Sequence, residues 1–271
     1  SAASDVYKRQ ALYTALFSSC VYEDLSKCSR MFMLQPRYLL HTGEGDRFGE
    51  AVHHIDVYAF DSLGIYRKMF RDKGAHLKNG YRMPIDLPEG KWTFLCLGGK
   101  VGDYEIGIFK TGIPQQFSPA VSPGITTLSD FRVKAYFEQK ENLEYSLGEL
   151  FFGRLDSVEI TADNGGTGVV DLMKNTNKIE VRVKGIADGS SARITSDNGR
   201  FNSENVTPAD AGTIIYVPYY SASQADDTRV FQFDVLRLYT DGHLFLKLLN
   251  PDGTDVIPGF TKDLINAIMS S

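Results

Sequence analysis

Apolar and polar positions alternate with a period of two along most of this chain, the pattern of strands with one face buried. Ile55, Val57 and Ala59 interleave with Asp56, Tyr58 and Phe60, and a turn follows at Asp61 to Gly64. Tyr81, Met83, Ile85 and Leu87 alternate with Arg82, Pro84 and Asp86, and Pro88-Glu89-Gly90 turns the chain into a strand from Lys91 to Leu97. A hairpin is expected there, with Pro84 marking its first strand as an edge or bulge. Phe131, Val133, Ala135 and Phe137 form another apolar face, with Arg132 and Lys134 opposite. The polar run Glu138 to Asn142 then reads as a connection.

The second half repeats the theme. Val158 and Ile160 precede a turn at Asp163-Asn164-Gly165-Gly166, and Ile179, Val181 and Val183 alternate with Glu180, Arg182 and Lys184. Asp197-Asn198-Gly199 predicts a type I′ hairpin turn. Phe231 to Tyr239, Asp241-Gly242 and Leu244 to Leu249 predict another hairpin, and Asp252-Gly253 a further turn. Helical spacing is confined to Lys262 to Met269. Short strands with turns between them predict an all-β protein of two tandem β-sandwich domains, over residues 30–145 and 146–271.

Composition agrees with a folded chain: 42% hydrophobic and 23% charged residues. A net charge of −5 argues against a nucleic-acid surface, which needs clustered Lys and Arg. The N-terminal region carries a different signal. Lys8 and Arg9 precede an apolar stretch from Ala11 to Phe17, then Ser18, Ser19 and Cys20. This is the order of a secretory signal followed by a lipid-attachment cysteine, so 1–19 is expected to be a signal remnant and 20–29 an anchor segment. Residues 1–10 do not read as a native start. The alternative is a buried helix ending in an ordinary cysteine. The apolar run is too short to span a bilayer, which takes about 20 residues.

Motifs for chemistry are sparse. His53 and His54 point to opposite faces of a strand, and no His-x-His or Cys-x-x-Cys spacing suggests zinc. Gly98-Gly99-Lys100 lacks the rest of a phosphate-binding loop, and no nucleophile elbow is present. Asp226-Asp227 lies in a polar loop. Asn250, Asp252, Thr254 and Asp255 could offer oxygens to calcium, but the same residues suit a β-turn, the preferred reading. No enzyme, metal or cofactor is expected. A glycan site built on Trp92, Tyr219 or Tyr220 is the alternative function. With Cys20 lipidated, Cys28 and Cys96 remain, either paired in an oxidising compartment or as separate buried thiols.

Several segments in order resemble the fimbrillin-associated anchor and accessory lipoproteins of Bacteroidales-type bacteria. These are Cys20 to Cys28 with its acidic pair Glu23-Asp24; His54 to Asp61 with Gly64; Gly80 to Met83, Leu87, Gly90 and Leu97-Gly98-Gly99; and Phe152-Gly153 with Asp171 to Ile179. Leu97 stands where that family often has Trp. The resemblance implies two transthyretin-like sandwiches without enzymatic activity, exported to the outer membrane and held there through lipidated Cys20. Glu23 and Asp24 would be the surface-export signal. Partners would be fimbrial subunits, joined by strand exchange, and host or bacterial surface ligands. An anchor keeps its early strand, so it donates but does not accept. That strand is expected between Arg30 and Leu40, with Met31, Met33 and neighbouring apolar residues packed in the first domain. Cleavage at Arg30 would free the protein from its lipid. Family members continue beyond Leu264, so a truncated second domain, unable to couple to a fimbria and with an open sheet edge, is also expected.

Overall fold

A computed structural model describes residues 31–39, 45–110, 116–135, 142–143, 146–161, 165–209, 211–224, 226–259, 262–265 and 268. Cys20, Glu23, Asp24 and Cys28 lie outside the described residues. Among the described residues the strands form four sheets. The largest has seven strands in the order β3-β2-β5-β10-β11-β1-β4. These are β1 (Phe32–Tyr38), β2 (His54–Phe60), β3 (Tyr66–Lys73), β4 (Met83–Ile85), β5 (Gly90–Gly99), β10 (Leu150–Ile160) and β11 (Thr167–Lys174). A one-turn helix, α1 (Phe48–Ala51), follows β1.

A four-stranded sheet contains β6 (Tyr104–Lys110), β7 (Gln116–Ser118), β8 (Phe131–Ala135) and β14 (Arg200–Asn202). A three-stranded sheet contains β12 (Thr176–Lys184), β16 (Tyr220–Ser223) and β17 (Thr228–Leu236). The five-stranded sheet contains β9 (Asn142–Leu143), β13 (Ser191–Ser196), β15 (Ile214–Tyr216), β18 (Leu244–Leu249) and β19 (Lys262–Asp263).

The central strands are buried on both faces because each face feeds a different core. Tyr58, Phe60, Leu95, Leu97, Leu150 and Phe152 point into one, where Phe131 and Phe201 of the four-stranded sheet meet them edge-on. Ile55, Val57, Phe94, Cys96 and Phe151 point into the other. The large sheet must curl to close that second core. Phe32 and Phe94 sit on strands three places apart, roughly 14 Å in a flat sheet, yet their rings stack with centroids 5.9 Å apart.

Strand pairing crosses the expected 145/146 junction in both directions. β10 and β11 join the large sheet, β14 pairs with β8, and β9 pairs with β15. Asn175 is the joint where one run of chain passes from β11 into β12. Its N–H donates to the Leu150 carbonyl at 2.7 Å, and its own carbonyl accepts from the Arg237 N–H at 2.9 Å. Its buried side chain pairs with that of Asn205. A change of sheet inside the protein is therefore made without an unsatisfied peptide group.

Three expected local features are corrected. The strand around Met83 does not form a hairpin with Lys91 to Leu97, because β2 and β10 take both edges of β5; β4 pairs with β1 instead. Pro84 nevertheless lies on an edge strand, as expected. Asp197-Asn198-Gly199 is not a type I′ turn, since neither Asn198 nor Gly199 has a positive φ. It carries the chain from β13 to β14 in another sheet. Asn198 is buried there, donating to the carbonyls of Leu236 and Arg237 at 3.0 and 3.1 Å and accepting from the Tyr216 hydroxyl at 2.9 Å. Likewise β17 and β18 belong to different sheets and form an arch rather than a hairpin.

Near the C-terminus, Lys262 and Asp263 pair with β18 as strand rather than starting a helix. A helical hydrogen bond follows, from the Ile268 N–H to the Leu264 carbonyl at 2.9 Å. The Asp252-Gly253 turn forms as expected, with Gly253 at φ +82° and the Thr254 N–H and hydroxyl both donating to Asp252.

Candidate functional site

The first strand has the most distinctive setting. β1 lies inside the large sheet, parallel to β11 over Met33 to Tyr38 and antiparallel to β4 over Phe32 to Leu34. Its inward side chains are Phe32, Leu34 and Pro36; Met33 is only partly buried and Met31 is 52% exposed. The expected packing thus holds for the neighbouring apolar residues Phe32 and Leu34 and is corrected for Met31 and Met33, which alternate onto the other side of the strand.

Pro36 can sit in an interior strand because its missing N–H faces the side where β4 has already ended. The Met33 N–H donates to Gly166 on the β11 side, whereas the Tyr38 N–H donates to the Asp46 carboxylate on the other. Gly168 makes the seat for the first ring: a Cβ there would lie 2.6 Å from Phe32 Cζ and 2.7 Å from Leu155 Cδ2. At the far end the Arg37 guanidinium donates two hydrogen bonds to Asp171, at 2.9 and 3.1 Å. The seat combines a notch for an aromatic ring, an apolar wall and a charged clasp.

Polar groups elsewhere serve the scaffold. Asp56, fully buried on β2, receives hydrogen bonds from Arg71 at 2.6 and 2.7 Å, and His54 Nε2 lies 2.8 Å away. The bond to Asp56 holds the Arg71 guanidinium more firmly protonated. Burial raises the Tyr58 hydroxyl pKa, with Asp56 adding to the effect. Burial also raises the pKa of Cys96, which sits as a free thiol in the second core. Among the described residues no group of three or more His, Cys, Asp or Glu side chains could hold a metal.

The aromatics considered for glycan binding do not converge. Trp92 is buried in the second core and donates to the Pro88 carbonyl at 3.1 Å, while half-exposed Tyr220 lies on β16. Sequence reasoning missed Gly168 and the Arg37–Asp171 clasp. Neither stands out locally, because the pairing partners are 134 residues apart.

The family of fimbrillin-A associated anchor proteins Mfa1 and Mfa2 matches residues 25–271. The fold is similar to the fimbrial anchor protein Mfa2 from Porphyromonas gingivalis, with TM-score 0.70 and 21% identity over 90% of this chain and 85% of that one. It is also similar to a candidate polysaccharide-binding protein from Bacteroides thetaiotaomicron (TM-score 0.72, 22% identity, 89% and 82% covered). A candidate adhesin from Bacteroides ovatus has the same TM-score, 0.72, with 20% identity and 88% and 79% covered. No curated protein matches the sequence. The chain belongs to the fimbrillin-A associated anchor family, proteins of the cell surface with an accessory role in fimbriae and adhesion.

Proposed function

We propose that this protein is a lipid-anchored outer-membrane base or accessory subunit of a fimbria, coupled to other subunits by strand exchange. Acylation of Cys20 would hold it to the membrane, and Glu23 and Asp24 would direct it to the cell surface. Firm attachment needs more than one acyl chain, because a single chain binds only marginally.

The observation that carries the reading is the seating of β1. With Phe32 over Gly168 and β11 on one side, the first sheet already holds its own strand where an incoming one would otherwise bind. Such a subunit closes a series: it offers a strand but leaves no vacancy. Arg30 lies just before β1, so a cut there would leave the seat filled while releasing the protein from its anchor. Two fractionation results test the reading. Cys20→Ala is expected to move the protein from the outer-membrane fraction to the soluble one, and unchanged fractionation defeats the anchoring. Copurification with fimbrial subunits is expected for the wild type, and its absence in cells that assemble fimbriae defeats the coupling.

A further inference from the structure

A cleft of about 890 Å³ opens at the end of the large sheet opposite the start of β1. It is bordered by the start of β2, the end of β3, the segment after β5, the approach to β10 and the start of β12. Register places it: Leu150 at the cleft pairs with Gly99, whereas Ile160 and Gly90 pair at the other end, near Thr167 and Met33.

Three lysines, Lys73, Lys100 and Lys178, line the cleft, and all are exposed. None has an ion-pair partner within 4.0 Å among the described residues. Lys178 stands across from Asp234 on β17, but that carboxylate accepts from the Ser146 hydroxyl and makes no ion pair with it. The acids of the cleft wall are engaged: Asp103 accepts from the Gly148 N–H at 2.8 Å, and Glu149 is paired with Lys174. Hydrogen bonds from neutral donors leave the Asp103 and Asp234 charges in place, so three lysines stand against two carboxylates, a small local excess of positive charge on a chain whose net charge is −5.

We infer that this cleft binds an acidic saccharide chain, one bearing uronate carboxylates. Its volume is that of a small-molecule or oligosaccharide site. A neutral glycan is disfavoured, because among the described lining residues the only rings are the small imidazoles of His53 and His54, with no Trp, Tyr or Phe face on which a sugar could stack. A partner's β-strand is disfavoured because the backbone of the wall is already paired. The N–H groups of Gly74, Lys100, Asp103 and Gly148 donate to His53, Glu149, Lys100 and the Asp103 carboxylate respectively. Recognition must pass through side chains, and lysine ammoniums on flexible stems suit carboxylates spaced along a hydrated polymer. The inference stands apart from the anchoring and strand-exchange reading, since it uses none of its residues.

Affinity electrophoresis of the full chain through gels containing polygalacturonate, neutral dextran or poly-L-glutamate tests this. Retardation by polygalacturonate is expected at low salt and not by dextran. The triple variant Lys73→Gln, Lys100→Gln, Lys178→Gln should weaken binding about tenfold with an unchanged melting temperature, and 0.5 M salt should have a similar effect. No retardation by polygalacturonate, or equal retardation of the variant, overturns the assignment. Retardation by poly-L-glutamate as strong as by polygalacturonate overturns it too, by assigning the cleft to acidic protein segments.

Discussion

β2 and β12 are both read from sequence as alternating strands with one apolar face, yet they occupy opposite settings. β2 sits between β3 and β5, and every residue from Ile55 to Phe60 is buried. β12 is the edge of its sheet; Ile179, Val181 and Val183 are half-buried, and Glu180, Arg182 and Lys184 are exposed. The difference lies in the residues between the apolar ones. In β2 these are Asp56, Tyr58 and Phe60, which can enter a second core if the carboxylate finds a cation, and Arg71 supplies it. In β12 they are charges without such a cover, and they also guard an open edge against pairing with another chain.

Substitution should make the contrast measurable. Phe60→Ala removes a fully buried ring and is expected to cost about 3–5 kcal/mol in urea unfolding, against about 1 kcal/mol for Ile179→Ala, whose side chain is half-buried. Equal costs would mean that β12 is covered in solution. Asp56→Ala leaves Arg71 without its partner. The penalty is about 2 kcal/mol, below the full value for a buried pair because Arg71 is half-exposed. A neutral result would remove the reason for a carboxylate in the core.

The smallest effect concerns acid. Burial would raise the Asp72 pKa, but hydrogen bonds from Tyr81, His76 and the Lys73 N–H outweigh it and lower the value. The folded state therefore gains stability above the unfolded carboxylate pKa, near 4, and loses it as pH falls through the lowered folded value. Glu180 is also lowered, by hydrogen bonds from Gln232 and Arg182 on the exposed face of β12. Asp72→Asn should flatten the acid limb of the stability curve more than Glu180→Gln does, and the Glu180 effect should fade in salt. The reverse order would place the better-protected carboxylate on β12.

Strand positions were largely legible from the sequence, because alternation identifies a strand wherever it pairs. The partners were not. Asp197-Asn198-Gly199 and Asp241-Gly242 have the chemistry of a reversal, but a reversal within one sheet and a crossing between two sheets need the same flexible residues. What separates them is long-range: the Asn198 amide is buried against Leu236 and Arg237, about forty positions away. The register of β1 was hidden for another reason. Met31, Phe32, Met33 and Leu34 are all apolar, so either face could have been the buried one until Gly168 admitted the ring of Phe32. The basic cleft was invisible because Lys73, Lys100 and Lys178 come from three separate parts of the chain and belong to no motif.

The seating of β1 also has a mechanical consequence. A pull on the segment preceding Phe32, resisted from the opposite end of the sheet, runs along the axis of β1. The hydrogen bonds to β11 lie across that line, so they are loaded together in shear rather than opened one after another. A strand paired on one side over Met33 to Tyr38 and clasped at Arg37 would slip only by breaking its whole ladder at once, a geometry suited to a tether under tension.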